Sequence, residues 1–98
     1  MNLWSFMEKI RYSFDLQEIN DFVEVIVKKG FLVKSLKGEE VVGYIIYGTD
    51  SSRRNYDVGI ISLEEMHAGL TLYNANNLEH QRELEGLIES VENRLNRL

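Results

Sequence analysis

The pattern of apolar and polar positions is clearest in residues 15–47, where it predicts a helix followed by two strands. Asp15 and Glu18 have the spacing of a capping box, and Gly30 can take the left-handed conformation that ends a helix. Between them, five apolar residues recur at three- and four-residue steps and form one stripe: Leu16, Ile19, Phe22, Val23 and Ile26. The segment from Leu16 to Lys29 is therefore expected to be an amphipathic helix.

Strand patterns flank this helix on both sides. Residues 31–36, 40–48, 56–61 and 70–73 have strand composition, and a tight turn joins the first two. In residues 40–48, apolar side chains occupy both alternating faces, which is typical of a central strand that is covered on each side. Residues 9–14 fit a helix or a strand period, and their composition favours a strand that leads directly into the helix. Residues 2–7 then form a loop or one helical turn.

Two further capping boxes predict helices in the second half of the chain. Ser62 and Glu65 predict a helix of one or two turns that ends at Gly69. Asn76 and Glu79 predict the start of a terminal helix that runs to the end of the chain. That helix carries a stripe of apolar residues at three- and four-residue steps: Leu84, Ile88, Val91, Leu95 and Leu98. The stripe either packs on the sheet or forms a dimer seam, and it is too short for a coiled coil.

Together these elements predict a single α+β domain over residues 1–98, in the order β-α-β-β-β-(short α)-β-α. A mostly antiparallel sheet of four or five strands is expected, with two helices on one face, in a ferredoxin-like arrangement or a related one. An architecture of this kind hosts many functions, so it does not select one.

Composition excludes several classes of function. The chain has no cysteine, which excludes disulfides, thiolate catalysis and cysteine-ligated metal centres. It also lacks an apolar run of the roughly 20 residues that a membrane span needs, so a cytoplasmic protein is expected. The net charge of −5 is uneven, since residues 1–38 carry six basic and five acidic groups, whereas residues 39–98 carry five and eleven. An acidic second half disfavours nonspecific nucleic-acid binding and is compatible with a basic protein partner.

Local motifs for catalysis or metal binding are weak. Glu64 and His67, and again His80 and Glu83, have a spacing that puts both side chains on one face of a helix. A di-iron site also needs inward-facing glutamates from further helices, and exposed polar residues on acidic helices explain the same pattern. Neither histidine belongs to a nucleophile motif, and no glycine loop for phosphate is evident. We therefore expect no metal, no cofactor and no catalytic residue.

The remaining candidates are surfaces that recognise a partner. The leading hypothesis is a small acidic, non-catalytic interaction protein of the adaptor or inhibitor type, with partner-binding candidates in a polar loop and an acidic helix: Arg53, Arg54, Tyr56, Glu85, Glu89 and Glu92. The alternative is a regulator that binds nucleic acid through the Arg53/Arg54 loop and a lysine group: Lys28, Lys29, Lys34 and Lys37. The simpler and favoured explanation of the Arg53/Arg54 group is a solvated hairpin loop in which Asp50 and Asp57 neutralise the arginines.

Self-association is the third expectation. The central strand is apolar on both faces, and two helices cover only one face of a sheet, so a monomer would expose a large apolar patch. A homodimer buries either that second face or the terminal stripe, and the candidate residues are Tyr44, Ile46, Leu84, Ile88, Val91 and Leu95. The rival explanation is that the N-terminal residues Leu3, Trp4 and Phe6 fold over the open face.

Overall fold

A computed structural model of the chain describes residues 10–73, 75, 77–92 and 96–97. Within these residues the fold is α+β, and the sheet is antiparallel throughout. The elements are β1 (Ile10–Asp15), α1 (Ile19–Lys28), β2 (Leu32–Lys37), β3 (Val42–Thr49), β4 (Asn55–Leu63), β5 (His67–Leu72), α2 (Leu78–Val91) and the two-residue β6 (Asn96–Arg97). Neither helix in this part of the chain has the length and apolar content that a membrane span requires.

The strands lie in the order β2-β3-β4-β5-β1-β6. Strands β2 to β5 form a meander of successive hairpins, and β1 pairs with the last of them, β5. Helix α1 therefore connects two strands that are separated by three others. A ferredoxin-like βαβ unit leaves room for one intervening strand, so that finer arrangement is not confirmed. The α+β class, the antiparallel sheet and the two helices agree with the prediction.

Both helices pack on the same face of the sheet, which we call the core face. Apolar side chains from β1, β3, β4 and β5 meet both helices in one cluster. Its largest fully buried members are Tyr12, Phe22, Ile26, Ile46, Ile61, Leu70, Leu72 and Leu87. Val33 of β2 packs against this cluster as well. The cluster therefore fixes the positions of α1 and α2 relative to the meander.

The C-terminus of α1 confirms the predicted glycine stop. Gly30 has a φ of 97°, its N–H donates to the Val27 carbonyl at 3.0 Å, and the Phe31 N–H donates to the Ile26 carbonyl at 3.3 Å. These two bonds define a Schellman motif, and buried Phe31 supplies its apolar contact. The N-terminus differs from the prediction. A 3₁₀ turn (Leu16–Glu18) precedes the helix, and the Asp15 side chain makes no capping hydrogen bond because Asp15 ends β1.

The short helix predicted after Ser62 is wrong. Strand β4 continues to Leu63, and β5 begins at His67. A tight turn joins them, in which the Glu64 N–H donates to the His67 carbonyl at 2.9 Å. The capping-box spacing was a local signal. It was outweighed by strand pairing that buries three alternate side chains of β5: Ala68, Leu70 and Leu72.

Helix α2 starts where predicted but ends earlier. Its N-cap is Asn77, whose Oδ1 accepts the His80 N–H at 2.9 Å, and Asn76, the predicted cap, lies outside the described residues. The helix ends at Val91, and β6 pairs with β1, so a helix that continues to the C-terminus is wrong. Asn96 and Arg97 pair with Ser13 and Tyr12 at the edge of the sheet.

Candidate functional site

The turn between β3 and β4 is attached to the N-terminal end of α2. The Ser51 N–H and hydroxyl donate to the two carboxylate oxygens of Glu79 at 2.7 and 3.0 Å. This bidentate contact uses the first turn of α2, where the helix dipole also favours a carboxylate. The hairpin and the helix are thereby held together, although they are far apart in sequence.

His80 lies at the centre of this attachment. Its side chain is buried, with only 6% of its surface exposed. Nε2 lies 3.2 Å from Oδ2 of Asp50, and the imidazole stacks on the Tyr56 ring with centroids 3.6 Å apart and an angle of 5° between the planes. Its second nitrogen, Nδ1, is buried and has no hydrogen-bond partner among the described residues. An unpaired buried nitrogen costs about 1–3 kcal/mol, so the stacking and the contact with Asp50 must offset that cost.

Tyr56 connects His80 to the rest of α2. Its hydroxyl donates to the Glu83 carboxylate, one helical turn after His80. Its ring covers Gly48 so closely that a Cβ there would lie 2.4 Å from the ring carbon Cζ. Burial, together with the Glu83 carboxylate, raises the pKa of the Tyr56 hydroxyl. Tyr56 is therefore a neutral donor at physiological pH.

Asp50 organises the turn itself. Its Oδ1 accepts the backbone N–H groups of Ser52 at 2.9 Å and Arg54 at 3.0 Å. The hydrogen bond from the Arg54 N–H, followed by that from His80, holds the pKa of the Asp50 carboxyl below its ordinary value. The same turn places Arg53 in the left-handed region, with a φ of 62°. We call Asp50, Tyr56, His80 and Glu83 the hairpin–helix network.

The network predicts a specific acid dependence of stability. Because the folded-state pKa of Asp50 is depressed, its stabilising effect is complete above its unfolded pKa of about 4 and is lost as pH falls through the lower folded value. The difference in unfolding free energy between the native chain and Asp50→Asn should be constant from about pH 7 to 5 and should shrink below about pH 4. Urea unfolding across this range checks it.

Asp57→Asn is the matched control, because it removes an exposed carboxylate from the same hairpin without touching the network. A difference between the native chain and Asp50→Asn that is unchanged down to about pH 3 would mean that the ionised carboxylate does not contribute.

The contacts of His80 position the hairpin on the helix. An Asp–His pair orients a general base when the free imidazole nitrogen faces a nucleophile or a substrate. Here that nitrogen is Nδ1, which is buried and has no hydrogen-bond partner among the described residues. Ser51, in the same turn as Asp50, donates to Glu79.

Beside the network a cleft of about 310 Å³ opens between the two helices and the end of β3. Gly86 lies on its α2 side, where an added Cβ would meet no described atom within 4 Å. A glycine at a helix interior costs about 1 kcal/mol relative to alanine. The cleft is lined by Lys29, Gly30, Phe31, Thr49, Arg82, Glu83, Gly86 and Leu87. Glu83 belongs to both the cleft and the network.

Of the residues predicted to recognise a partner, some are exposed to solvent and others belong to the hairpin–helix network. Arg53 and Arg54 are exposed at the hairpin tip, whereas Tyr56 is committed to His80 and Glu83. In the described part of the chain, neither guanidinium forms an ion pair, so neutralisation by Asp50 is not observed. On the acidic helix, the exposed candidates are Glu85 and Glu89, while half-buried Glu92 accepts a long hydrogen bond of 3.4 Å from Tyr12.

The self-association candidates lie mostly in the core. Ile46 is fully buried, so it cannot contact a second copy. Tyr44, Leu84 and Ile88 are half-buried and pack against the core cluster. The Val91 side chain and Leu95 lie outside the described residues. Strand β3 does have two apolar faces, as predicted, but the helices cover the one that carries Tyr44 and Ile46.

The residues that sequence reasoning missed are those whose partners are distant. The spacing of His80 and Glu83 was recognised, but both were interpreted as exposed helix residues. Their partners, Asp50 and Tyr56, precede them by 30 and 27 residues. Glu64 and His67, the second pair with this spacing, do not lie on a helix. Their side chains form an exposed 2.8 Å contact across the β4–β5 turn. Over the residues that the structure describes, no three His, Asp or Glu side chains could hold a metal ion.

In comparisons with known proteins, the chain matches no protein-family model, no curated protein and no solved structure.

Proposed function

We propose that this protein is a non-catalytic interaction domain that forms a homodimer through the face of the sheet opposite the helices, which we call the outer face. The observation that supports this most is the composition of that face. Ile45 and Ile60 are direct cross-strand partners at its centre, and both are half-buried. Neither described helix packs on them, because both helices lie on the core face.

Further apolar side chains extend this centre towards β2. Leu36 is half-buried, Leu32 is exposed, and the Tyr47 ring has the Lys34 ammonium 5.8 Å from its centroid. Together with Ile45 and Ile60 they place apolar side chains on β2, β3 and β4 of the outer face, with the exposed Lys34 among them. Contiguous apolar areas of this kind mark interaction surfaces more often than isolated exposed residues do.

A second copy of the chain fits the outer face better than a strongly charged partner. The exposed charges of its described strands are balanced, with Lys34 and Arg11 against Asp57 and Asp15. The chain as a whole carries −5, so the acidic side chains lie mainly elsewhere. A surface with both signs and an apolar centre is self-complementary, as a two-fold interface requires.

The outer face is somewhat smaller than a standard interface. Five strands spaced 4.8 Å apart, each about 25 Å long, present roughly 600 Å². A standard interface buries about 800 Å² on each partner, and interfaces at the small end of the range are typical of weak, reversible association, so we expect a dimer that dissociates on dilution.

The test is the mass of outer-face variants in solution. Ile60→Lys places a charge at the centre of the apolar area and should reduce the mass from dimer to 11.4 kDa, while the circular dichroism spectrum is retained. Val27→Lys is the matched control, because Val27 is 52% exposed on α1, and its mass should equal that of the native chain. Sedimentation velocity measures all three.

A second experiment tests whether the outer face is covered by the N-terminal residues or by a second copy of the chain. If the N-terminal residues Leu3, Trp4 and Phe6 cover it, the native chain is a monomer and a chain lacking residues 1–9 associates. If a second copy covers it, the native chain is a dimer and Ile60→Lys is a monomer. Equal monomer masses for the native chain, Ile60→Lys and Val27→Lys would contradict the proposal.

Nucleic-acid binding is the second candidate, and it is favoured by the exposed guanidinium groups of Arg53 and Arg54, which form no ion pair among the described residues. Arg53→Ala/Arg54→Ala should weaken binding of a fluorescent single-stranded RNA and reduce the slope of log K against log salt by about 2. Arg11→Ala, which removes an exposed cation that belongs neither to this loop nor to the lysine group, should leave the slope unchanged. Native affinity weaker than about 1 mM at low salt, as measured by anisotropy, would exclude this candidate.

A further inference from the structure

The cleft beside the hairpin–helix network has the features of a small-molecule site, and it lies on the helical side of the sheet, away from the proposed dimer surface. Its volume of about 310 Å³ is at the lower end of the range for ligand pockets, about 300–1,000 Å³. Gly30 and Gly86 are among its lining residues. An added Cβ at Gly30 or Gly86 would meet no described atom within 4 Å.

The cleft also has an apolar floor. Leu87 is 1% exposed and Phe31 is 8% exposed, and both belong to the core cluster. Because core packing holds these two side chains, the floor is formed before any ligand arrives. A pocket with a rigid apolar base favours a ligand that has an apolar body rather than a simple inorganic ion.

The charged groups at the rim are mostly cationic. Lys29 and Arg82 line the cleft, and within the described residues neither forms an ion pair. Glu83 is the only acidic side chain among the lining residues, and it already accepts the hydrogen bond from Tyr56. Two cations against one carboxylate leave a charge of +1. The C-terminal end of α1 contributes about half a negative charge, so the rim remains positive.

We propose that this cleft binds a small organic anion, with its apolar body on Phe31 and Leu87 and its carboxylate or phosphate group between Lys29 and Arg82. The negative head group of the ligand would then face two cations at a partly enclosed rim, where a charge-assisted hydrogen bond is stronger than at a flat surface. The free carboxylate and the phosphate ester share this chemistry, and the experiment distinguishes them.

The test is a titration of the native chain followed by amide chemical shifts. The probes are hexanoate, phenyl phosphate, inorganic phosphate and the neutral alcohol hexanol. Either hexanoate or phenyl phosphate should move the Gly30 and Gly86 amides, and the stronger of the two identifies the head group. Binding should be at least about tenfold tighter than for hexanol and inorganic phosphate. Shifts away from the cleft, or none at about 10 mM, would overturn the proposal.

Two variants test separately how the open space of the cleft and its cations contribute to ligand binding. Gly86→Leu fills the open space with a good helix former, so the fold should be retained while anion binding falls at least about tenfold. Arg82→Gln should bring the organic anion and hexanol to similar affinities, because it removes one of the two cations. Lys37→Gln, which removes an exposed cation from the end of β2 far from the cleft, should change neither. Unaltered binding by Gly86→Leu would place the ligand elsewhere and overturn the proposal.

Discussion

Replacing Gly43 with alanine should destabilise the protein by about 3 kcal/mol or more, because β3 and β4 approach so closely there that no Cβ fits. An added Cβ would lie 1.7 Å from the carbonyl oxygen of Ile61, 2.8 Å from its carbonyl carbon and 3.3 Å from the Cα of Ser62. All three atoms belong to the backbone, so a side-chain rotation cannot relieve the clash. The two strands would have to separate and lose part of their hydrogen-bond ladder.

Gly69→Ala is the matched control for this prediction. Gly69 and Gly43 both pair with Ser62, from opposite sides, so they lie on one row of the sheet. An added Cβ at Gly69 would meet no described atom within 4 Å. Gly69→Ala should therefore change the unfolding free energy by less than about 1 kcal/mol, with stabilisation as the expected sign. Urea unfolding compares the two variants, and equal losses would mean that β3 and β4 are not this close.

Leu87→Ala should produce the second largest loss, about 3 kcal/mol, because Leu87 is the fully buried contact of α2 with the sheet. Leu84→Ala, on the same helix, should cost about 1 kcal/mol, since Leu84 is only half-buried at the edge of the core cluster. The same denaturant titration measures both. A larger loss for Leu84 would mean that α2 is rotated and that its sequence stripe, rather than Leu87, faces the sheet.

These two residues show how far the apolar pattern of the sequence determined the packing. The pattern placed Leu84 and Ile88 in the stripe and Leu87 beside it. In the structure, Leu87 is fully buried against the sheet, whereas Leu84 and Ile88 are half-buried on either side of it. Where local signals agree with tertiary packing, as at Gly30, the prediction was confirmed to the residue.

The candidate site was much less accessible to sequence reasoning. The Asp50–His80 contact and the Tyr56–Glu83 hydrogen bond join groups that are about 30 residues apart and share no motif. A turn aspartate and a helical histidine are common residues with ordinary local explanations. Only the topology, which brings the β3–β4 turn to the start of α2, places them together.

The sequence also did not indicate which face of the sheet the helices cover. Strand β3 is apolar on both faces, and its alternation alone does not indicate which face receives the helices. The sequence therefore predicted a self-associating surface but selected Tyr44 and Ile46, whose side chains are on the core face. The apolar residues available to a partner are their neighbours on the same strand, Ile45 and Tyr47.

If a second copy of the chain covers the outer face, as we propose, the mass of the native protein depends on its concentration. The most direct test is the light-scattering mass as the protein is diluted from about 100 µM to 1 µM, because an interface of this size is expected to be weak and reversible. A dimer through the outer face gives a mass that falls from twice 11.4 kDa towards 11.4 kDa on dilution. A constant mass of 11.4 kDa across the whole range would contradict it.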